Sequence, residues 1–217
     1  DAIECCDRAI QIGKNDVNAW GNKGYSLLNL ERYEEAIECC DRAIQIDGNI
    51  VMSLNNKGMA LSHLGRHEEA LVCFDRAIQI DENYLLGWGN KGSALRNLGR
   101  YEEEIECHNR ILQSNQNYAP VWDNKGMALF NLERYEEALV CFDRAIQIDE
   151  NYLTSWWRKG GTLRKLRRYD EAFDSLSEAL ECANMIADEN DKNRIINDIT
   201  KFLNETIEES KYSATNR

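Results

Sequence analysis

Apolar and small residues recur at helical spacing along most of this chain. In residues 17–50, Trp20, Gly24 and Leu27 fall within about 40° of one another when each residue is rotated by about 100°, as on an α-helix. The polar residues at 31–32 interrupt this pattern. The spacing therefore predicts a first helix with one packed face, which ends at this interruption.

A second helical pattern follows in the same segment. Ala36, Cys40 and Ala43 share one face, and small alanines on a packed face allow two helices to approach closely. Asp, Gly and Asn at 47–49 then form a turn signal. The segment predicts two antiparallel helices joined by a short turn.

The two-helix pattern returns every 34 residues. Residues 70–85 and 138–153 share the sequence ALVCFDRAIQIDENYL, two periods apart, and residues 2–12 and 36–46 share AIECCDRAIQI. A unit of this length buries its apolar face only by stacking on its neighbours. The repeat predicts a solenoid with an extended binding face, and it argues against a globule with a catalytic cleft.

Three sets of positions connect this repeat to a known family. A glycine stands in every first helix, a leucine always follows three residues later, and an aromatic residue precedes the glycine in four units of five; the glycines are Gly24, Gly58, Gly92, Gly126 and Gly160. With the alanines of the second helix, this pattern resembles the tetratricopeptide repeat (TPR) family. The resemblance implies an all-α fold, a right-handed α-solenoid (superhelix) of antiparallel helix pairs.

The period also predicts where the units begin and end. Five TPR units are expected at 17–50, 51–84, 85–118, 119–152 and 153–186, after the second helix of a truncated unit at 1–16. Residues 187–217 are expected to form a C-terminal capping helix and a frayed tail, because a solenoid needs a polar outer face at its ends. The truncated N-terminal unit also suggests end-to-end self-association.

The unit at 85–118 departs from the others. Glu104 and Ile111 replace the two alanines of its second helix, and His108 replaces an aromatic residue. A carboxylate at a tight helix contact is costly, so we expect this contact to be loosened or shifted. Sequence drift and a functional hinge both account for the departure.

Charge and cysteine usage restrict the class of function. The net charge of −12 argues against nucleic-acid and membrane partners, which prefer a basic surface. Five of the eight cysteines recur at the repeat period, which favours packed, reduced thiols and a cytoplasmic location over a metal or redox site. No catalytic, cofactor-binding or phosphate-binding motif occurs, so we expect no enzyme activity and no cofactor in this segment.

The candidate site lies on the unpacked side of the first helices. Positions two and nine residues past the first aromatic lie about 200° and 180° around the helix from it. They hold Asn22, Asn29, Asn56, His63, Asn90, Asn97, Asn124, Asn131, Arg158 and Lys165. In the TPR family this side lines a concave groove, and the asparagine row resembles that in the repeats of O-linked N-acetylglucosamine transferase, where it holds substrates by their backbone. A solvated face copied by duplication is the alternative.

The asparagine row ends in a basic cluster. Its six members are Arg158, Lys159, Arg164, Lys165, Arg167 and Arg168. With Trp157, Arg158 and Lys165 are predicted to contact a carboxylate or phosphate of the ligand, and a solvated surface that balances nearby acids is the alternative.

Three functions remain open at this point. The first is a non-catalytic scaffold for protein–protein interaction that binds an extended peptide or a partner helix in the groove. The second is the substrate-docking region of a larger enzyme, such as a glycosyltransferase, with its catalytic part outside this segment. The third, RNA binding, is disfavoured by the charge and by the scarcity of aromatic residues on the inner face.

Overall fold

The computed structural model describes residues 2–215, with side chains through 212. In this range the chain forms twelve α-helices and no strand. They are α1 (Ala2–Ile12), α2 (Val17–Asn29), α3 (Tyr33–Ile46), α4 (Val51–His63), α5 (His67–Ile80), α6 (Leu85–Asn97), α7 (Tyr101–Ser114), α8 (Ala119–Asn131), α9 (Tyr135–Ile148), α10 (Leu153–Lys165), α11 (Tyr169–Asn184) and α12 (Glu189–Thr215). The tail at 213–217, expected to fray, has no described side chains and lies partly outside the described residues.

The helices form two compact units. Unit 1 covers Asp1–Ile111 and contains α1 to α6 with most of α7; unit 2 covers Leu112–Arg217 and contains α8 to α12. Within each unit, each helix packs on the helices next to it in the chain. The first helices of successive pairs also touch, as α2 and α4 do. Such stacking of antiparallel helix pairs is the α-solenoid architecture that the repeat predicts.

The turn inside each helix pair has one geometry throughout. In the first pair, Glu31 takes a positive φ of 59°, the Arg32 N–H donates to the Leu27 carbonyl at 3.0 Å, and the Glu31 N–H donates to the Leu28 carbonyl at 3.0 Å. These two bonds define a Schellman motif, which satisfies the last carbonyls of a helix. Gly65 and Gly99 occupy the left-handed position at no steric cost in two later turns.

The leucine three residues after the repeated glycine lies in the core of each pair. This leucine is at most 2 % exposed in every pair; the residues are Leu27, Leu61, Leu95, Leu129 and Leu163. In two pairs the glycine faces a phenylalanine ring: a Cβ on Gly58 would lie 2.5 Å from Phe74 Cε1. The glycine is therefore required for close approach of the two helices.

Lysines on the first helices link neighbouring pairs. Lys57 Nζ lies 2.5 Å from Asp41 Oδ1, and Lys91 Nζ lies 2.7 Å from Asp75 Oδ1. Lys91 also stands over the Trp88 ring, 5.4 Å from its centroid. Lys57 and Lys91 thus lay their stems over the contact between pairs and place their ammonium groups at an aspartate of the preceding pair.

The α6/α7 pair corresponds to the unit at 85–118 that departs from the repeat pattern, and the contact between its two helices differs from that of the other pairs. Glu104 is fully buried, and Arg96 from α6 places Nη2 2.6 Å from its Oε1. A Cβ on Gly92 would meet its nearest side-chain atoms at 3.5 Å, an ordinary contact distance. The helices of this pair thus have more clearance at the glycine than those of the α4/α5 pair.

Candidate functional site

The asparagines and the lysine predicted at the ends of the first helices are accessible. Asn29, Asn97, Asn131 and Lys165 are the last residues of α2, α6, α8 and α10, and all four are exposed. They lie at the Schellman turns, away from the contacts between first helices.

The residues two positions past the first aromatic form a second row, and their side chains are less exposed than their helical angle suggests. Asn22 is exposed, Asn90 and Asn124 are half-buried, and Asn56 is only 6 % exposed. Asn90 contacts α4, the first helix of the preceding pair. Part of this row therefore borders a contact between first helices.

Asn90 uses its amide within the protein. Its Nδ2 donates to Asn55 Oδ1 at 2.8 Å, a bond from α6 to α4. The Asn55 side chain is buried and also directs Nδ2 toward the Met59 sulfur at 3.4 Å. The sequence analysis did not single out Asn55, which precedes Asn56 in α4. The sequence does contain an indication, because the equivalent residue of α8, Asp123, is also polar.

Arg158 is also paired inside the protein. Asp123 is 2 % exposed, and it accepts hydrogen bonds from the Arg158 guanidinium and from Ser155 Oγ, the latter at 2.8 Å. This ion pair joins α8 to α10. The predicted anchor for a ligand anion thus already has an internal carboxylate.

Most of the remaining basic cluster is paired as well. Lys159 lies 2.7 Å from Asp143, and Arg168 lies 2.5 Å from Glu171. Arg164 reaches Glu209 of α12 at 2.6 Å, and this hydrogen bond lowers the pKa of the Glu209 carboxyl. Among the described residues, Lys165 and Arg167 have no ion pair. The cluster therefore balances acids of unit 2 more than it forms an open cationic surface.

Trp157 is half-buried and packs against an apolar cluster. The buried members of this cluster are Leu176, Ala179 and Ala183 of α11 and Ile199 of α12. The predicted ligand contact is thus part of the apolar packing of unit 2.

Unit 1 contains an open groove lined by residues of α2, α4 and α6 and of the loops before α4 and α6. Its volume is about 380 Å³, and Asn22 and Asn56 are among its lining residues. Three apolar side chains at the groove are largely exposed: Tyr25 at 50 %, Met52 at 63 % and Leu86 at 57 %. The groove thus combines amide groups with an exposed apolar surface.

Among the described residues, no charged side chain lines this groove, although the chain carries a net charge of −12. Tyr84 lies at one side, and burial raises the pKa of its phenol. Ser53 lines the groove too; it is fully buried, and its Oγ has no hydrogen-bond partner in the described part of the chain. A buried hydroxyl without a partner is costly.

Metal-ligand geometry and thiol pKa values bear on the chemistry of the described residues. Within them, no group of three or more His, Cys, Asp or Glu side chains is placed to hold a metal ion. Burial raises the pKa of Cys40 and of Cys107 to about 12, which disfavours the nucleophilic thiolate. None of the helices in residues 2–215 has the length and apolar character needed to cross a membrane.

Comparison with family models decides the family. One model described as tetratricopeptide repeat matches residues 17–50, 51–84 and 119–152, and a second model with the same description matches residues 87–118 and 153–183. The chain belongs to the tetratricopeptide repeat family. A search of curated proteins finds no match to this TPR chain.

Solved TPR structures share the fold. The chain is similar to residues 41 to the end of MamA from Desulfovibrio magneticus RS-1, with 17 % identity, coverage of 79 % of this chain and 97 % of that one, and a TM-score of 0.74. YrrB, described as a TPR protein with an unusual peptide-binding site, is 20 % identical, with coverage of 88 % and 97 % and a TM-score of 0.72. At these identities the likeness shows the fold alone.

Proposed function

We propose that this TPR domain is a non-catalytic scaffold for protein–protein interaction that binds an extended peptide in the groove of unit 1. The TPR family supports a scaffold for protein interaction in general. The observation that supports the peptide is the groove of about 380 Å³ on α2, α4 and α6, in which amide groups stand beside exposed apolar side chains.

The chemistry of the lining suits a peptide backbone. Asn22 and Asn56 each carry one amide donor group and one carbonyl acceptor, so they can bind both the C=O and the N–H of an extended chain. Tyr25, Met52 and Leu86 supply apolar surface that a peptide side chain would cover, and burial of such surface stabilises a complex by about 25 cal/mol per Å² before the costs of association.

The comparison with YrrB adds support of a limited kind. A protein of this fold is described as having a peptide-binding site, and this chain covers 97 % of it. The proposal extends that property to the present chain. The described cysteines are free thiols, which fits a reducing, cytoplasmic compartment as part of the same proposal.

The test begins with peptides selected from a random-peptide display library on the purified domain. Binding of the selected peptides is then measured for Asn22→Ala with Asn56→Ala. We expect about tenfold or greater loss of affinity, because two amide contacts are removed, with an unchanged melting temperature. The matched control is Asn193→Ala with Asn197→Ala, two exposed asparagines on α12.

Two results would contradict the proposal. One is the absence of any selected peptide that binds in solution. The other is a peptide whose affinity is the same for the wild type, the Asn22/Asn56 variant and the α12 control.

A further inference from the structure

The turn between α10 and α11 carries two positive charges that the equivalent turns lack. Lys165 ends α10, whereas the other first helices end in asparagine or histidine. Arg167 takes the left-handed position with a φ of 59°, where the other turns have glutamate or glycine. Both side chains are exposed, and neither forms an ion pair with a described residue. The turn thus presents two cations that no internal acid holds.

The second half of α12 lies opposite this turn. α12 has 27 residues, whereas α10 has 13. The turn and α12 enclose an open cleft of about 970 Å³, which Lys165, Arg167 and Tyr169 line on one side and Phe202 and Tyr212 on the other. Tyr212 is 75 % exposed. The cleft therefore combines accessible cations with an accessible aromatic ring.

The acidic residues of α12 in this cleft are mostly held by Arg164. Its Nε and Nη2 donate to the two carboxylate oxygens of Glu209 at 2.9 and 2.6 Å, and its Nη1 donates to Glu205 at 3.2 Å. The same guanidinium stands over the Phe202 ring, 4.5 Å from its centroid. Glu208 is exposed and has no ion pair with a described residue. The lining is neutral as a whole, but its free positive charge lies at the turn.

We propose that this cleft is a second interaction site, which binds a partner segment that carries an acidic side chain close to an aromatic one. The carboxylate would accept charge-assisted hydrogen bonds from Lys165 and Arg167, and the planar guanidinium can hold it with two parallel N–H donors. The ring would pack on Tyr169 and Tyr212, because aromatic pairs gain energy beyond the area that they bury. The site is independent of the groove of unit 1, which lies on other helices.

A basic segment fits this cleft less well. It would meet Lys165 and Arg167 at the turn, and like charges at an interface are strongly unfavourable. The acid that remains for it is Glu208, because both oxygens of Glu209 already accept from Arg164. Charge therefore selects an acidic ligand over a basic one.

A variant of the turn tests the position of the site. Lys165→Asn with Arg167→Gly gives this turn the residues of the α6–α7 turn at the two positions, Asn97 and Gly99. Glycine takes a positive φ without strain, so we expect the melting temperature to be preserved or raised. Acidic ligands should bind about fivefold or more weakly, because two exposed ion pairs are lost.

The matched control changes two exposed cations of unit 1. Arg8→Gln with Lys14→Gln lowers the net charge by the same amount as the turn variant. It should bind acidic ligands like the wild type. Equal losses in the turn variant and the control would show an effect of net charge alone and would overturn the inference.

Three blocked peptides test the ligand class. The probes are acetyl-Glu-Ala-Phe-amide and its analogues with Gln or Lys in place of Glu, titrated into isotope-labelled protein. Side chains two residues apart in an extended chain lie on the same side. We expect the Glu peptide to shift the backbone amide resonances of Lys165 and Arg167, with affinity about fivefold or more above that of both analogues at low salt. Added salt should reduce this difference, because it screens exposed charges.

Several results would overturn the inference. They are equal affinity for the Glu and Gln peptides at low salt, stronger binding of the Lys peptide, wild-type affinity in the folded Lys165/Arg167 variant, and resonance shifts confined to the groove of unit 1. The Asn22→Ala with Asn56→Ala variant should bind the Glu peptide like the wild type. Failure of the proposed function would therefore leave binding at this cleft intact, and failure at this cleft would leave the groove of unit 1 unaffected.

Discussion

The α4/α5 and α6/α7 helix pairs have the same backbone design and different interiors. In the α4/α5 pair, the Phe74 ring lies against Gly58, so close that a Cβ on the glycine would be 2.5 Å from the ring. In the α6/α7 pair, His108 replaces the phenylalanine, and a Cβ on Gly92 would lie 3.5 Å from His108 Cε1. The first pair is closed by an apolar ring, and the second has room to spare at the same contact.

The second pair uses an ion pair where the first uses an alanine. Glu104 takes the place of Ala70, and its Oε1 accepts from Arg96 Nε at 2.7 Å and lies 3.2 Å from His108 Nε2. Its other oxygen, Oε2, and His108 Nδ1 have no partner within the described residues. A buried ion pair roughly balances its own desolvation cost, so this replacement makes the pair dependent on Arg96 without making it more stable.

Among the changes that test this comparison, removal of the Arg96 guanidinium should have the largest effect on the free energy of unfolding. Arg96→Met leaves the Glu104 carboxylate buried without its cation, and we expect a loss of about 3–5 kcal/mol in the free energy of unfolding. Urea unfolding followed by helical circular dichroism measures it. Arg96→Lys keeps the charge and should lose less; equal losses for Met and Lys would contradict the ion-pair account.

Transfer of the apolar interior to the α6/α7 pair should have the next largest effect, with the opposite sign. Arg96→Ser with Glu104→Ala and His108→Phe places the residues of the α4/α5 pair at the three positions of this ion-pair network. Replacement of a buried ion pair by packed apolar groups commonly stabilises a protein by about 1–4 kcal/mol, and we expect a gain in this range. A loss of stability in urea unfolding would mean that the wider contact cannot close around a ring.

Alanine at the two glycines should distinguish the pairs directly. Gly58→Ala forces a methyl group into the Phe74 ring, and we expect a net loss of about 1–3 kcal/mol. Gly92→Ala meets only ordinary contacts and should be neutral or gain up to about 1 kcal/mol from helix propensity. Thermal unfolding of the two variants measures the difference. Equal shifts would show that the clearance at Gly92 is unimportant.

Removal of the Arg–Glu hydrogen bond at the start of the second helix should have the smallest effect on stability. The effect should be the same in both pairs, because both pairs have this bond. Hydrogen bonds from Arg66 and Arg100 lower the pKa of Glu69 and of Glu103. A lowered folded-state pKa gives stability that is present above the unfolded value of about 4.3 and is lost as the pH falls through the folded pKa. Glu69→Gln and Glu103→Gln should each lower the melting temperature slightly at neutral pH and leave it unchanged at strongly acidic pH. A clear difference between the two variants would mean that the interior affects the turn.

Periodicity predicted the helix pairs well because the signal is local. The glycine, leucine and alanine positions repeat on one face of each helix, and Leu61 and Ala70 are buried at 1 % and 0 % exposure accordingly. Side-chain direction along one helix depends only on its own rotation per residue. The family and the all-α fold could thus be read from sequence.

The hydrogen-bond partners of the candidate site residues could not be predicted from sequence in the same way. Angle alone assigned Asn90 and Arg158 to an open face, whereas each reaches a residue one position earlier in the preceding first helix, Asn55 or Asp123. Those contacts depend on how far neighbouring helix pairs are offset from each other, which no single helix records.

The amino-acid order by itself therefore determined the two-helix unit, its turn and its packed face, since these follow from rotation along a single helix. Only the tertiary structure decided which of the predicted site residues are already paired within the protein. The physical reason is that hydrogen bonds between repeats require two surfaces about 35 residues apart in the chain to meet at bonding distance, as Asn90 and Asn55 do at 2.8 Å.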